Sequence, residues 1–133
     1  MLISEESLQI SFVSWCKYQA QINKDLAVLE WIYAVPNGGK RSVVEAMRLV
    51  QGGVKSGIPD LQLDVARKGY HGLRLELKKP NVLANGKRGK CKAPDEEQIK
   101  CHEFLREQGF AVHVSNDMEE LKAIILNYLL DDV

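Results

Sequence analysis

The feature that most constrains the fold is a pair of short segments in mid-chain that alternate leucine with polar residues. Residues 60–66 read DLQLDVA, and residues 72–79 read GLRLELKK. Successive side chains of a β-strand point to opposite faces of a sheet, so this alternation predicts two strands that each have one buried face. The connecting stretch, ARKGYHG, is rich in turn residues and favours an antiparallel hairpin.

The polar face of this hairpin is the first candidate for a functional site. Residues two apart share a face of a strand, so Glu76 and Lys78 point away from the leucine face. Asp60 follows Pro59 and begins the first strand, and the start of that strand lies beside the end of the second in a hairpin. We therefore expect Asp60, Glu76 and Lys78 to be neighbours. The simpler alternative is a solvent-exposed strand face.

Two carboxylates beside an ammonium group are typical of a site for a hard cation. Mg²⁺ or Mn²⁺ prefers oxygen ligands, and Mg²⁺ usually keeps several waters. Asp60 and Glu76 would bind the ion, with the backbone carbonyl of Leu77 as a third oxygen. The cation would lower the pKa of a bound water and offset the charge of a phosphate. Lys78 would position that water or help to deprotonate it.

Three other places in the sequence could contribute to the same chemistry. Glu5 or Glu6, at the start of a predicted helix, offers a further carboxylate. Gln98, in the first turn of another predicted helix, could hydrogen-bond a water or a phosphate. A loop offers small residues and two cations for close approach to a phosphate, namely Asn37, Gly38, Gly39, Lys40 and Arg41.

The cysteines and two of the histidines are given no catalytic role. Cys16, Cys91 and Cys101 are odd in number and lack a CxxC pair, so we expect reduced thiols. A zinc site built from Cys91, Cys101 and His102 would lack the paired close spacing of such sites. His102 and His113 are interpreted as a helix-surface residue and a strand residue.

The rest of the chain predicts helices on either side of this hairpin. Residues 110–114 fit a strand, and residues 28–35 fit either a strand or a helix. Helices are predicted at residues 4–20, from 42 to about 51, at 94–108 and from about 117 to 130. Together these elements predict one α/β domain over residues 1–133, with a central mixed β-sheet flanked by helices.

The bulk composition is ordinary, but the charge is unevenly distributed. No apolar run approaches the roughly 20 residues that a membrane span needs, and the N-terminus lacks a signal-peptide pattern, so we expect a cytoplasmic protein without membrane contact.

The net charge is zero, yet residues 36–92 hold 13 basic and 4 acidic residues, a net +9. Such a basic middle could follow a phosphate backbone, whereas a solvated surface of mixed charge is the alternative.

Taken in order, these residues resemble the signature of the PD-(D/E)xK nuclease superfamily, and more specifically the VRR-NUC (virus-type replication-repair nuclease) family. The resemblance covers almost the whole chain. It rests on Pro59-Asp60 and Glu76-Leu77-Lys78, on Glu5 with Gln9, on Pro36-Asn37-Gly38-Gly39 with Arg41, on Gly57-Ile58, on Gln98 and on Gly109. The basic loop from Lys79 to Lys92 is long for the pattern, and is either a DNA-contacting insertion or a flexible connection.

The resemblance implies a restriction-endonuclease-like core that cleaves DNA phosphodiester bonds with Mg²⁺ or Mn²⁺ and no nucleotide or organic cofactor. It implies Asp60, Glu76 and Lys78 as the catalytic triad. Glu5 would be the helix carboxylate that assists the metal, in preference to Glu6, and Gln98 would be the supporting polar residue. The short, phage-like type implies a homodimer that resolves four-way (Holliday) junctions during replication, recombination or repair, in the cytosol of a bacterium or a phage-infected host.

The expected DNA contacts are the two basic loops, and three other functions stay open. The contacts are assigned to Asn37, Gly38, Gly39, Lys40, Arg41, Lys79, Lys87, Arg88, Lys90 and Lys92. One alternative is a flap or nicking nuclease of restriction-endonuclease type. Another is a catalytically inactive DNA-binding module with the same fold. The third is an unrelated protein in which the motif is coincidental.

Overall fold

The computed structural model describes residues 4–36 and 41–130, which form a four-stranded sheet with helices on both faces. No helix within these ranges is long and apolar enough to cross a membrane. In chain order the elements are α1 (Glu5–Ile22), a 3₁₀ segment (Lys24–Trp31), β1 (Tyr33–Ala34), α2 (Val43–Gln51), β2 (Leu61–Leu63), β3 (Leu73–Leu77), α3 (Glu96–Glu107), β4 (Ala111–Ser115) and α4 (Met118–Leu129).

The sheet has the strand order β1-β2-β3-β4 and is mixed. β2 and β3 are antiparallel, with Leu61 opposite Leu75 and Leu63 opposite Leu73, as the leucine alternation predicts. β3 and β4 are parallel, and a parallel pair requires a long crossover. Here the basic loop and α3 supply that crossover. The expected α/β fold with a mixed sheet flanked by helices is therefore confirmed.

One face of the sheet forms the hydrophobic core. The leucines of β2 and β3 are at most 1% exposed, and they share one cluster with buried residues of α1 and α4. Phe12 of α1 and Ile125 of α4 are fully buried in this cluster. At the start of α1, Ser4 caps the helix by accepting a hydrogen bond from the Ser7 backbone N–H, as expected for a serine at that position. The core therefore anchors α1 beside β2 and β3.

The segment that fits either a strand or a helix, residues 28–35, is divided between the end of a 3₁₀ segment and a short strand. Leu26 and Leu29 are buried three residues apart, and Ile32 continues the same spacing. A period of three matches the 3₁₀ helix, in which residues i and i+3 lie above one another. The strand is confined to Tyr33–Ala34, which forms the edge of the sheet and leads into the loop that begins at Pro36.

α2 is the one helix of the described chain without a buried residue. Its apolar side chains are largely exposed, with Val43 at 77%, Val50 at 66% and Met47 at 56%. Ser42 caps its start and Gly52 ends it. A nine-residue helix is marginal in water unless its apolar face is covered. Among the described residues, α2 therefore presents an exposed apolar surface.

Candidate active site

Asp60 lies at the start of β2, with its carboxylate directed at the end of β3. The residue is 9% exposed, and its Oδ2 accepts a hydrogen bond of 2.7 Å from the Leu77 backbone N–H. On its other side, the Asp60 carbonyl oxygen accepts a hydrogen bond from the Val35 backbone N–H. The N–H and C=O of one strand residue point to the same side, so the Leu77 carbonyl also faces β2. Asp60 and the Leu77 carbonyl therefore lie together.

The turn before Asp60 is held against the first turn of α3. Gly57 has a φ of +81°, and a Cβ at this position would lie 2.6 Å from the Glu97 carbonyl oxygen. Only glycine avoids both the left-handed strain and this collision. Pro59 is fully buried. The start of β2 is thus packed against the N-terminal turn of α3, which carries Gln98.

Glu76 is the most deeply buried carboxylate of the site, at 3% exposed. Burial and a hydrogen bond to Asp60 raise the pKa of Glu76 to about 9, and the negative charges of Asp60 and Glu5 contribute in the same direction. The positive charge of Lys78 opposes this shift. A carboxyl with so high a pKa holds its proton at neutral pH when no cation is bound. The carboxylates of the site are therefore crowded enough to favour an added positive charge.

Glu5 joins this cluster from the first turn of α1. Burial raises its pKa, as does the charge of Asp60, whereas Lys78 and Lys92 lower it. The structure therefore brings Glu5 within electrostatic range of the hairpin residues, where the family resemblance places the helix carboxylate. The sequence alone leaves Glu5 and Glu6 open, because both lie in the first turn.

Lys78 is held by Gln98. The Lys78 Nζ donates a hydrogen bond of 2.7 Å to the Gln98 Oε1, and Lys78 is 9% exposed. The same oxygen accepts a bond from the Asp95 backbone N–H, while the Asp95 side chain accepts from the Gln98 backbone N–H. This reciprocal capping box fixes the Gln98 side chain at the start of α3. The ammonium of Lys78 is thus directed by a residue that is itself restrained.

His102 is the residue of this site that the sequence analysis misplaces. The prediction of a helix-surface residue is wrong, since His102 is 2% exposed and its Nε2 lies 3.4 Å from the Glu76 Oε1. Burial and the charges of Arg106 and Lys78 lower the pKa of His102, which favours the neutral imidazole. The sequence does contain a signal for the position of His102. It lies four residues after Gln98, and residues at this spacing share a helix face.

Asp64 does not belong to this cluster. Its side chain is 57% exposed and forms an ion pair of 2.8 Å with Arg74. The Tyr33 hydroxyl also donates a hydrogen bond to Asp64. An aspartate four residues after Asp60 along an extended chain is too far away to ligate the same ion. Asp64 is therefore a useful reference carboxylate outside the site.

The donor set fits a hard cation held mainly by oxygen atoms. Asp60, Glu76 and the Leu77 carbonyl provide two carboxylates and one backbone oxygen, and Mg²⁺ commonly completes its shell with waters. Within residues 4–36 and 41–130, no group of three or more His, Cys, Asp or Glu side chains could hold a metal ion. Glu5 lies within electrostatic range of Asp60 and stays the predicted helix carboxylate of the site.

Comparison with solved structures supports the resemblance to the VRR-NUC family. No family model and no curated protein matches the chain. Among solved structures, a chain named "VRR_NUC domain protein" matches 97% of this chain and 90% of its own length, with a TM-score of 0.73 and 26% identity. The resemblance to the VRR-NUC family that the sequence predicts is therefore confirmed over almost the full length of the chain.

The basic loop from Lys79 to Lys92 contains a small hairpin in the structure. Val82 and Arg88 form an antiparallel bridge within it. Arg88 then reaches across to α4, where it donates hydrogen bonds to Glu120 and to the Asn116 side chain at the strand end. Asn116 is thereby used as an acceptor, and Asp117 caps α4. The guanidinium of Arg88 serves to fasten the loop.

The other expected DNA contacts are placed as follows. Four residues of the small loop, Asn37, Gly38, Gly39 and Lys40, lie outside the described residues. The remaining side chains are exposed, namely those of Arg41, Lys79, Lys87, Lys90 and Lys92. The charge of Lys92 acts on the pKa of Glu5, which places the end of the basic loop beside the candidate site.

Proposed function

We propose that this VRR-NUC domain is a metal-dependent, structure-selective DNA endonuclease whose preferred substrate is a four-way junction. The observation that carries this proposal is the buried pair Asp60 and Glu76, which lies on one sheet face beside a restrained Lys78. Buried carboxylates with a strongly raised pKa are uncommon in structural positions and concentrate at functional sites. The similarity to a solved VRR_NUC domain protein supports nuclease chemistry for the chain.

The proposed chemistry is hydrolysis of a phosphodiester bond. Asp60, Glu76 and the Leu77 carbonyl would hold Mg²⁺ or Mn²⁺, which when bound activates water and offsets negative charge on the scissile phosphate. Lys78 presents its Nζ to the attacking water, and its direction is set by Gln98. Glu5 lies at the edge of the same cluster and orients a water there. Precise placement of such groups is itself a large part of catalysis.

The proposed DNA path follows the basic loop toward the site. Lys87 and Lys90 are exposed, and Lys92 lies close enough to Glu5 to change its pKa. Lysines that neutralise phosphates release counterions and strengthen binding in a salt-dependent manner. Because Arg88 fastens the loop to α4, the lysines around it are presented from an anchored hairpin. The loop is thus proposed as a DNA-contacting insertion rather than a flexible connection.

A homodimer is the proposed assembly, since resolving a four-way junction requires two symmetric cuts and one chain carries one such site. The surface that we assign to the dimer is the apolar face of α2, which includes Val43, Met47 and Val50. Two copies related by a two-fold axis would each cover this face of the other. Val50→Glu should therefore shift the protein from dimer to monomer in sedimentation velocity, whereas Arg48→Glu on the polar side of α2 should leave the dimer intact.

The deciding experiment is a cleavage panel with Mg²⁺ and with Mn²⁺. Its substrates are a four-way junction, a flap, a splayed arm, a linear duplex and a single strand. The proposal expects paired symmetric cuts in the junction, loss of all cutting in Glu76→Gln, and normal cutting in Asp64→Asn. Cutting of flaps or nicks alone, by a monomer, would favour the flap or nicking nuclease. Salt-sensitive junction binding without any cutting would indicate a catalytically inactive DNA-binding module.

A further inference from the structure

Two side-chain contacts join α3 to β3 along the polar face of the sheet. The Gln98 Oε1 meets the Lys78 Nζ at 2.7 Å, and the His102 Nε2 meets the Glu76 Oε1 at 3.4 Å. Four residues along a helix advance about 6.0 Å, and two residues along a strand advance about 6.7 Å. The two spacings nearly match. A helix that runs antiparallel to the strand can therefore make both contacts at once.

The burial of His102 is not explained by packing alone. Among the twelve residues of α3, all of them described, His102 is the only one that is buried. A helix that served only to cover the sheet would place an apolar side chain at this point, because a buried polar ring needs a hydrogen-bond partner. Its ring instead meets a carboxyl that is also hydrogen-bonded to Asp60. This position therefore suits a side chain that can form a hydrogen bond with Glu76.

We propose that His102 is a positioning residue for the metal-binding carboxylate: its Nε2–H donates to the Glu76 Oε1 and holds that carboxylate toward Asp60. The inference rests on the proposed function, because it takes Glu76 as a ligand of Mg²⁺ or Mn²⁺. Ligating carboxylates in metal sites are commonly oriented by such hydrogen bonds, and loss of the partner typically costs about 10- to 100-fold in metal affinity or activity. α3 then orients both functional residues of β3.

Direct Mn²⁺ binding to the whole chain, measured by isothermal titration calorimetry without DNA, tests this role. His102→Leu fills the space without a donor and should weaken Mn²⁺ binding by about 10- to 100-fold. His102→Gln keeps an amide donor near the position of Nε2 and should restore binding to within a few fold of wild type. His102→Asn, whose amide is too short, should behave like His102→Leu. Glu103→Gln, on the exposed side of α3, is the matched control and should bind as wild type.

Each outcome separates this inference from the proposed function. Wild-type protein that binds no Mn²⁺, or Glu76→Gln that binds it normally, overturns the proposed metal site and this inference with it. A wild type that binds Mn²⁺ while folded His102→Leu and His102→Asn bind equally well overturns the positioning role alone. Failure of His102→Gln to recover affinity overturns it too. Thermal unfolding in EDTA identifies misfolded variants, and if His102→Leu misfolds, the Gln and Asn pair decides.

Discussion

The carboxylate of Asp60 accepts a hydrogen bond of 2.7 Å from the backbone N–H of Leu77, seventeen residues along the chain. This bond ties the start of β2 to the end of β3, at the point where Glu76 and Lys78 lie. Asp60 thus has a structural role and a proposed catalytic role, which depend on different properties of its side chain. The hydrogen bond needs an acceptor oxygen, whereas metal binding needs the negative charge.

Substitutions of Asp60 separate these two roles. Asp60→Asn keeps an oxygen that can accept from Leu77, so we expect near wild-type stability but no cleavage. Asp60→Ala also leaves the buried Leu77 N–H without its partner, so the free energy of unfolding should fall by about 1–3 kcal/mol. Urea unfolding and junction cleavage with Mn²⁺ measure the two effects. Substantial cleavage by Asp60→Asn would contradict the role of the carboxylate.

The pKa of Glu76 predicts how the stability of the metal-free protein depends on pH. Folding raises this pKa from 4.5 to about 9, so between these values the folded state keeps a proton that the unfolded state has lost. Stability that is present below pH 4.5 should therefore decrease as pH rises toward 9. Urea unfolding in EDTA at several pH values checks this. Glu76→Gln should flatten the dependence, and parallel curves for both proteins would show that Glu76 is not its source.

Two glycines with the same positive φ test the packing of the turn before Asp60. Gly57 and Gly86 both have a φ of +81°, but only Gly57 would place a Cβ against another backbone, at 2.6 Å from the Glu97 carbonyl oxygen. Gly86→Ala should cost about 1–2 kcal/mol through the left-handed conformation alone. Gly57→Ala should cost clearly more and should also slow cleavage, because it separates the start of β2 from α3. Equal losses in thermal unfolding would argue against this contact.

Arg88 and Lys87 are neighbours in the basic loop, but the structure predicts different effects for them. Lys87→Ala should weaken junction binding and lower the slope of log affinity against log salt by about 1, because one phosphate contact is lost. Arg88→Ala should alter that slope less and should instead loosen the loop, since its guanidinium is bound to Glu120 and Asn116. Fluorescence anisotropy across a salt series measures the slopes. Limited proteolysis of the loop reports on the anchoring.

A larger loss of salt dependence in Arg88→Ala than in Lys87→Ala would contradict this division of roles. The exposed pair between Arg88 and Glu120 should add at most about 1 kcal/mol to stability, as surface ion pairs usually do. Glu120→Gln is a useful second variant. It should loosen the loop less than Arg88→Ala does, because its amide oxygen and Asn116 can still accept from Arg88, and it leaves every basic residue in place.

Much of the fold is predictable because it depends on local periodicity. The alternation of leucine with polar residues sets the two faces of β2 and β3, and their antiparallel pairing follows from the short turn between them. The same alternation places Glu76 and Lys78 on one face, and Pro59-Asp60 begins the adjoining strand. The residues of the candidate site on the hairpin are therefore predictable from spacing alone.

Other features depend on contacts between segments that are distant in the sequence. The period of three in Leu26, Leu29 and Ile32 selects a 3₁₀ segment over a strand only when these side chains reach the core. In the sequence, nothing distinguishes Arg88 from the other cations of the basic loop. The structure shows that Glu120 of α4 lies beside it and accepts its hydrogen bond. Local sequence patterns do not predict such pairings, because each residue of the pair could lie beside several different partners.

By itself, the sequence determined which residues share a face of the hairpin and which family the chain resembles. Only the tertiary structure decided that His102 is buried against Glu76, that Gln98 restrains Lys78, and that α2 is left with an exposed apolar face. The physical reason is that periodicity specifies the orientation of a side chain within its own element. Burial, charge coupling and pKa depend on which other element is packed against it.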